Sequence, residues 1–312
     1  MKKKIAIIAG ISGQDGWYLQ NRLLNKNYEI VGLSRKKFKS KKNITLIKTN
    51  YDYTELSKII KRYRPEMIFN LAGESNPRAS WPKIYKSKES IIDLTVNFLE
   101  IIRKSSFKIK YFNCSSSEIY GINKNKSGSF APIVESNDFG PNNPYGCFKA
   151  ACHLLVQIYR IKYDIFAVNG VLFNHDSRRK KGFLIDTIIN FCVKNKGNNK
   201  KLTLSNSYPV RDFAHADDIT EAMVRVMILD KPDDYIISGG TIRSVKQIAF
   251  EILKHFKIKR NRLIFLNNKK DVKINDIKIG NNNKIRKATN WKPRYKNKEL
   301  ILKLINENII NA

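Results

Sequence analysis

The chain has 312 residues, 42% of them hydrophobic, and its 59 lysines and arginines against 27 aspartates and glutamates give a formal net charge of +32. This length suits one large domain or two moderate ones that share a cleft. The four scattered cysteines, the lack of a CxxC or HExxH motif and the lack of a long apolar run argue against a disulfide framework, a structural metal and a membrane span. We therefore expect a cytoplasmic protein.

The positive charge is distributed along the chain rather than concentrated on one predicted element. Such a charge is found on nucleic-acid-binding surfaces, but it is also found where lysines coat every solvated face. We favour the second interpretation, and we expect neither a nucleic-acid nor a membrane partner. A positive field would still draw anionic phosphate ligands toward a cleft.

Apolar runs rich in β-branched residues alternate with amphipathic stretches along the first half of the chain. This alternation predicts an α/β protein with a Rossmann-type doubly wound parallel sheet over residues 1–172. Residues 173–312 are predicted to form a smaller, mostly helical substrate-binding lobe, some of whose segments return to the first domain. The predicted strands are 4–9, 29–33, 44–47, 67–71, 108–114 and 166–172. The predicted helices are 16–25, 53–63, 84–104, 144–163, 184–194, 216–229, 245–255 and 298–309.

The first predicted strand runs directly into a glycine-rich turn, Gly10-Ile11-Ser12-Gly13-Gln14-Asp15-Gly16. Glycine at Gly10, Gly13 and Gly16 permits a tight turn, close approach to a pyrophosphate and close contact between helix and strand. The amides at the start of the following helix point at the same place and carry the positive end of its dipole. The turn therefore predicts a dinucleotide site.

Arg35 follows the second predicted strand, where an NAD-specific protein usually has a carboxylate for the ribose hydroxyls. An arginine at this place pairs instead with a 2′-phosphate, which favours NADP over NAD. The alternative is that Arg35 only begins a lysine-rich loop, and the sequence leaves it open.

Tyr145 and Lys149 lie four residues apart at the start of a predicted helix, directly after Pro144, and therefore share one face of that helix. An ammonium beside a phenol stabilises the phenolate and lowers the tyrosine pKa. Tyr145 is thus a candidate base that takes a proton from a sugar hydroxyl while hydride passes to a nicotinamide. Glu118 ends a Ser115-Ser116-Ser117-Glu118 run after the fifth predicted strand, which places a carboxylate in the same predicted cleft.

With these motifs in place, the chain resembles the extended short-chain dehydrogenases/reductases, and among them the GDP-mannose 4,6-dehydratases. The resemblance covers nearly the whole length. The segments that carry it are 10–19, 70–75, 115–121, 169–177 and 211–218, and the Gln14-Asp15 pair and the Leu172-Phe173-Asn174-His175 segment are the most diagnostic.

The resemblance implies a lyase that converts GDP-mannose, or a related GDP-sugar, to the 4-keto-6-deoxy sugar through bound NADP. Tyr145 and Lys149 would serve the oxidation at C4, and Glu118 would remove the C5 proton. Ser116 and protonated Glu118 would assist the loss of water from C6. The alternative is an NADP-dependent nucleotide-sugar 4-reductase or epimerase, which needs no carboxylate at Glu118.

The resemblance also implies which residues bind the ligands. The loop after Arg35 is shorter than in the family, where it helps to assemble a tetramer, so we expect a homodimer, with a tetramer as the alternative. The cofactor-binding residues are Gly10, Gly13, Gln14, Asp15, Gly16, Arg35, Leu71, Ala72, Tyr145 and Lys149. The substrate-binding residues are Ser75, Asn174, Arg211 and Lys273. Two of these positions depart from the family's pattern. Lys273 stands where the family has an arginine, and lysine keeps the charge but lacks the bidentate fork of arginine. Ser75 lies in a segment near the sugar whose sequence differs from that of the family.

Overall fold

The computed structural model describes residues 4–36, 42–121, 131–266 and 277–309. Its strands are β1 (Lys4–Ala9), β2 (Tyr28–Ser34), β3 (Ile44–Lys48), β4 (Met67–Asn70), β5 (Lys110–Ser116), β6 (Ala167–Leu172), β7 (Asn174–Asp176), β8 (Leu202–Leu204), β9 (Val210–His215), β10 (Asp234–Ile237), β11 (Thr241–Ser244), β12 (Leu263–Phe265) and β13 (Ile277–Lys278). Its helices are α1 (Gln14–Leu24), α2 (Tyr53–Tyr63), α3 (Ile84–Lys88), α4 (Leu94–Arg103), α5 (Pro144–Tyr163), α6 (Leu184–Lys194), α7 (Ala216–Met227), α8 (Val245–His255), α9 (Asn283–Thr289) and α10 (Asn297–Ile309).

A seven-stranded sheet with the order β3-β2-β1-β4-β5-β6-β10 forms the centre of the molecule, and every neighbouring pair in it is parallel. Successive residues of a strand face opposite sides, so Ile8 of β1 packs into the core beneath α1 and α7 while Ile7 packs into the core beneath α2, α4 and α5. The strand order reverses at β1, and ligands of such sheets bind at the carboxyl ends beside that reversal. The predicted α/β fold class is confirmed.

Segments beyond residue 172 return to this sheet. Strand β10 pairs with β6 at its edge, and α7 packs against α1 on one face. Trp291 is fully buried in the same core, where its indole N–H donates to the carbonyl of Asp218 at 3.0 Å. The late segments therefore complete the hydrophobic cover of the parallel sheet.

A second, smaller sheet contains β11, β9 and β13, with β7 paired to β9. Helices α6, α8 and α10 pack beside it around Ile188, Ile252 and Leu304, which are almost fully buried. The sequence analysis named no strand beyond residue 172, whereas the described residues contain seven there. These strands are short and several carry polar residues, such as Asn174-His175-Asp176 in β7, so they lack the apolar runs on which the prediction depended.

The predicted helix 84–104 is interrupted. Residues Glu89–Asp93 form a π-helical turn between α3 and α4. There the carbonyl of Ser90 would lie 2.9 Å from a Cβ added to Gly73, whose φ of +122° suits glycine alone. The widened turn thus approaches the loop that follows β4, close to the carboxyl end of the sheet.

Candidate functional site

The glycine turn between β1 and α1 leaves no room for larger residues. A Cβ added to Gly16 would lie 2.5 Å from the Cα of Ile11, and one added to Gly10 would lie 2.9 Å from the backbone of Leu71 and Ala72. The turn therefore packs directly against the chain that follows β4. Gly13 is the N-cap of α1 and supplies no side-chain cap, so the first amides of the helix face the carboxyl edge of the sheet without a capping side chain. Such an end suits an anionic group.

Gln14 and Asp15, at the start of α1, hold the segment that follows β6. Ser177 donates its hydroxyl hydrogen to Oε1 of Gln14 at 2.8 Å, and the Gln14 amide donates to the His175 carbonyl at 3.3 Å. The imidazole of His175 contacts both carboxylate oxygens of Asp15. These two predicted cofactor residues thus join the glycine turn to the 174–177 segment.

Arg35 lies exposed at the end of β2, with its guanidinium 5.8 Å from the centre of the Tyr51 ring. The Tyr51 hydroxyl donates to the carbonyl of Leu33 at 2.9 Å and accepts from the Gly10 amide at 3.2 Å. The tyrosine therefore connects the base of the glycine turn with the residue that is predicted to select the cofactor.

Helix α5 carries the predicted oxidation residues. Its N-cap is Asn143, whose side-chain oxygen accepts from the Gly146 amide at 2.9 Å, and Pro144 occupies the first turn. Tyr145 and Lys149 are both buried, with the Lys149 ammonium 5.7 Å from the centre of the Tyr145 ring. Lys149 also donates to the carbonyl of Cys114 at the end of β5, at 2.7 Å. The helix face predicted from the spacing is thus turned toward the parallel sheet.

The pKa of Tyr145 is raised in this structure. Burial of the phenol raises the pKa, and the nearby Lys149 ammonium and a hydrogen bond with Ser116 offset only part of that rise. Burial lowers the pKa of Lys149, but its attraction to Tyr145 and Cys114 outweighs burial and raises it. At neutral pH, Lys149 is therefore charged and Tyr145 holds its proton. The lowering expected from the sequence also depends on the positive charge of a bound nicotinamide, and it stays a prediction.

Glu118 lies in a short turn directly after β5, where its amide donates to the Ser116 hydroxyl at 3.2 Å. One carboxylate oxygen, Oε2, accepts from the Asn143 side-chain amide at 2.9 Å. The other, Oε1, lies 2.7 Å from the ammonium of Lys278. A Cβ on Gly146 would lie 2.5 Å from the Glu118 carbonyl, so α5 begins against the backbone of this turn.

Lys278 was missed by the sequence analysis. It is the second residue of β13, and it is only 3% exposed. Its one sequence signal is a charged residue between Ile277 and Ile279, and that signal is weak in a chain with 59 basic residues.

The predicted substrate residues are dispersed over several elements. Ser75 is exposed in the loop after β4, and its amide donates to the Glu74 carboxylate at 2.9 Å. Asn174 begins β7 opposite Phe213, and Arg211 lies on β9 in register with Lys278. Because Lys278 also contacts Glu118, strand β13 links the strand that contains Arg211 to Glu118. Lys273 lies outside the described residues.

Ser80 attaches the loop after β4 to the start of α5. Its hydroxyl donates to the Pro77 carbonyl at 2.6 Å and accepts from the Tyr145 amide at 3.2 Å. The loop that contains Ser75 thus has a fixed connection to the helix of Tyr145 and Lys149. Across the described ranges, no helix is long and apolar enough to span a bilayer.

Solved structures with the same fold include sugar-nucleotide enzymes. The dTDP-glucose 4,6-dehydratase of Bacillus anthracis, in complex with NAD, superimposes with a TM-score of 0.86 at 19% identity, over 99% of this chain and 97% of that one. The UDP-glucose 4-epimerase of Thermotoga maritima superimposes with a TM-score of 0.85 at 17% identity, over 97% of this chain and 98% of that one. At these identities the likeness establishes the fold.

Sequence comparison is more specific. GDP-mannose 4,6 dehydratase 2 of Arabidopsis thaliana is 30% identical over 98% of this chain and 87% of that relative. The GDP-mannose 4,6 dehydratase of Dictyostelium discoideum is 29% identical over 99% of this chain and 96% of that relative. The family model described as GDP-mannose 4,6 dehydratase matches residues 7–304. The chain therefore belongs to the GDP-mannose 4,6-dehydratase family.

Proposed function

We propose that this protein converts GDP-mannose, or a related GDP-sugar, to its 4-keto-6-deoxy form by internal hydride transfer through bound NADP. The observation that carries the proposal is the convergence of Glu118, Ser116, Tyr145 and Lys149 at the carboxyl end of β5. Family membership supports the same substrate class.

The glycine turn fits a dinucleotide. Side chains at Gly10 or Gly16 would collide with backbone, and the uncapped amides of α1 suit a pyrophosphate. Arg35, exposed at the end of β2, is suited to a 2′-phosphate and supports NADP rather than NAD. Two structural relatives, from Bacillus anthracis and Thermus thermophilus, were solved with NAD. We infer a nicotinamide dinucleotide for this chain on the same loop.

In the oxidation, Tyr145 takes the proton of the sugar C4 hydroxyl. Its pKa is raised even with Lys149 beside it on the same helix face, so the oxidation needs further positive charge, which a bound, oxidised nicotinamide would add. The Ser116 hydroxyl shares the hydrogen bond with Tyr145 and can hold the C4 oxygen. A nicotinamide held by the glycine turn, Tyr145 and Lys149 would supply the hydride-transfer chemistry, taking hydride from C4 and giving it back at C6.

In the elimination, Glu118 removes the C5 proton, which the C4 ketone makes acidic. The carboxyl so formed gives its proton to the C6 oxygen as the C6–O bond breaks, and water leaves while C5 and C6 form a double bond. Glu118 returns to the carboxylate. When C6 then receives hydride, C5 takes up a proton, which balances the proton that Tyr145 took from the C4 hydroxyl. A simple 4-epimerase or 4-reductase has no step that needs this group, which is why Glu118 favours the dehydratase.

We also infer a homodimer in the cytoplasm, with a tetramer as the alternative. Leu154, Ile158 and Ile161 lie four and three residues apart on α5 and are 47%, 57% and 84% exposed. An exposed apolar stripe of this kind suits contact with a second copy of the chain. Within each copy, we retain the division into a dinucleotide-binding domain, 1–172, and a mainly substrate-binding lobe, 173–312.

The first experiment is to incubate the purified protein with GDP-mannose and a trace of NADP and to follow the mass of the sugar nucleotide. The proposal predicts the loss of one water, abolished by Glu118→Gln and by Tyr145→Phe. An unchanged mass with every nucleotide sugar tried, together with consumption of reduced cofactor against a keto-sugar, would instead establish the reductase alternative.

A further inference from the structure

Lys278 is an unusual lysine because its charged end is buried. Among the described residues, Lys149 and Lys278 are the buried lysines, and both lie at the same site. An ammonium removed from water is unfavourable unless it is paired. Lys278 is paired with Glu118, at 2.7 Å, and this carboxylate is 19% exposed toward the cleft.

The backbone around Lys278 is fixed on two sides. Strand β13 pairs with β9, where Lys278 is in register with Arg211. On its other side, the Ile133 amide donates to the carbonyl of Ile279, the next residue, at 2.8 Å. The lysine therefore approaches Glu118 from a strand that is held in place, rather than from a loose loop.

The two partners of Glu118 leave part of the carboxylate available. A carboxylate can accept about four hydrogen bonds, two at each oxygen. Lys278 occupies one position on Oε1 and Asn143 occupies one on Oε2. The carboxylate plane is thus fixed by donors from β13 and from the start of α5, and each oxygen retains a lone pair that can meet a substrate proton.

We propose that Lys278 is a positioning residue for Glu118: together with Asn143 it fixes the plane of the carboxylate from which Glu118 reaches the C5 proton and the C6 oxygen. This inference rests on the proposed dehydratase function. A carboxylate held by Asn143 alone can turn about its side-chain bonds, so the removal of Lys278 should slow the loss of water more than the oxidation at C4.

The groups around Glu118 show what holds the carboxylate. Lys278 faces it from β13, and Tyr145 faces it from α5 with Lys149 behind. Tyr145 is neutral before the reaction, so among the described residues Lys278 is the cation in direct contact with the carboxylate.

The test replaces Lys278 by Met, which removes the charge and the donor, and by Gln, which keeps a donor for Glu118. Infrared difference spectra against Glu118→Gln isolate the Glu118 carboxylate. We expect its antisymmetric stretching band to shift and broaden in Lys278→Met, and to stay closer to the wild-type position in Lys278→Gln. Because this readout needs no substrate, an unchanged band in Lys278→Met would overturn the proposal regardless of the reaction catalysed.

Turnover gives the second readout. We expect kcat for water loss to fall by about tenfold to a hundredfold in Lys278→Met, and by less in Lys278→Gln, with KM little changed. Reduced cofactor should accumulate in the steady state, because oxidation at C4 continues while elimination is slowed. A parallel fall of both steps, with no accumulation, would indicate a merely structural role and would also overturn the proposal.

Lys284→Met is the matched control. Lys284 lies on α9 in an ion pair with Asp233 at 2.6 Å, but the two side chains are 37% and 47% exposed. This variant loses the same charge and should change neither the Glu118 infrared band nor turnover. If wild-type protein removes no water from any nucleotide sugar, the proposed function fails, and the infrared result still decides the effect of Lys278 on Glu118.

Discussion

His175 and Asp15 form an ion pair between two segments 160 residues apart, with Nε2 of the imidazole 2.9 Å from Oδ1 and 3.0 Å from Oδ2 of the carboxylate. Burial raises the pKa of Asp15, but attraction to His175 and hydrogen bonds outweigh it and lower that pKa from 3.8. Burial lowers the pKa of His175, but Asp15 outweighs it and raises that pKa above 6.5. The pair therefore connects protonation of a histidine to the position of the glycine turn.

The stability of the protein should depend on this pair in a defined pH window. The Asp15 carboxylate stabilises the folded protein above its ordinary pKa of 3.8, and this stabilisation is lost as the pH falls through the lowered pKa of the folded state. The His175 imidazolium stabilises the folded protein below its ordinary pKa of 6.5, and this stabilisation is lost as the pH rises through the raised pKa of the folded state. We expect His175→Gln to lower the free energy of unfolding by about 3 kcal/mol near a pH of about 5, and by progressively less at alkaline pH.

Urea unfolding at a series of pH values measures this dependence. His255→Gln, at an exposed histidine on α8, is the matched control and should show no such window. A cost of His175→Gln that is constant between mildly acid and alkaline pH would contradict a stabilising ion pair.

Gly16→Ala should damage the cofactor site. The new Cβ would lie 2.5 Å from the Cα of Ile11, a backbone atom that cannot move without displacing the turn. We expect a loss of about 1–3 kcal/mol in the free energy of unfolding, together with loss of tight NADP binding in calorimetry. Gly197→Ala is the control, because a Cβ there meets nothing within 4 Å. Unchanged NADP affinity in Gly16→Ala would show that the glycine turn is not part of the cofactor site.

Arg35→Ala should discriminate between the two dinucleotides. If Arg35 binds a 2′-phosphate, its removal loses a charge-assisted hydrogen bond of about 1.5–3 kcal/mol, so NADP affinity falls by about tenfold to a hundredfold. NAD affinity should stay nearly unchanged. Lys36→Ala, at the exposed neighbouring position, controls for the general loss of positive charge. Equal losses for both dinucleotides would contradict the role of Arg35 in NADP selection.

Asn143 should have two separable roles. Its oxygen caps α5 and its amide nitrogen donates to Glu118. We expect Asn143→Ser to preserve the cap and most of the stability but to lower turnover, because Glu118 loses a donor. Asn143→Ala should lower turnover and also lose about 1 kcal/mol of stability. Thermal unfolding and kcat, measured on both variants, test this. Full activity in Asn143→Ser would show that the donor to Glu118 is dispensable.

The parallel sheet and its glycine turn could be predicted from sequence because their signals are local. Pro144 is suited to the first turn of a helix, and helix α5 begins at Pro144 and ends at Tyr163 as predicted. The first strand likewise has its predicted bounds, because its apolar run ends directly at Gly10.

The rest depended on contacts between distant segments. Lys278 meets Glu118 only because β13 pairs with β9, and a two-residue strand leaves no periodic signal. The pKa of Tyr145 could not be predicted from its spacing to Lys149, because the degree of burial decides the direction of the shift. Spacing along a helix identifies neighbours, whereas burial and partners from other elements require the folded chain.

The start of α5 holds groups that serve both chemical steps, the oxidation and the elimination. Asn143 holds Glu118, and Tyr145 follows two residues later in the same first turn, while Gly146 fits the helix against the Glu118 backbone. The groups for oxidation and for elimination therefore move together if the helix moves. Asn174, by contrast, is anchored on the second sheet, where β7 pairs with β9. Evolution can consequently alter which sugar nucleotide is accepted without disturbing the relative placement of the reacting groups.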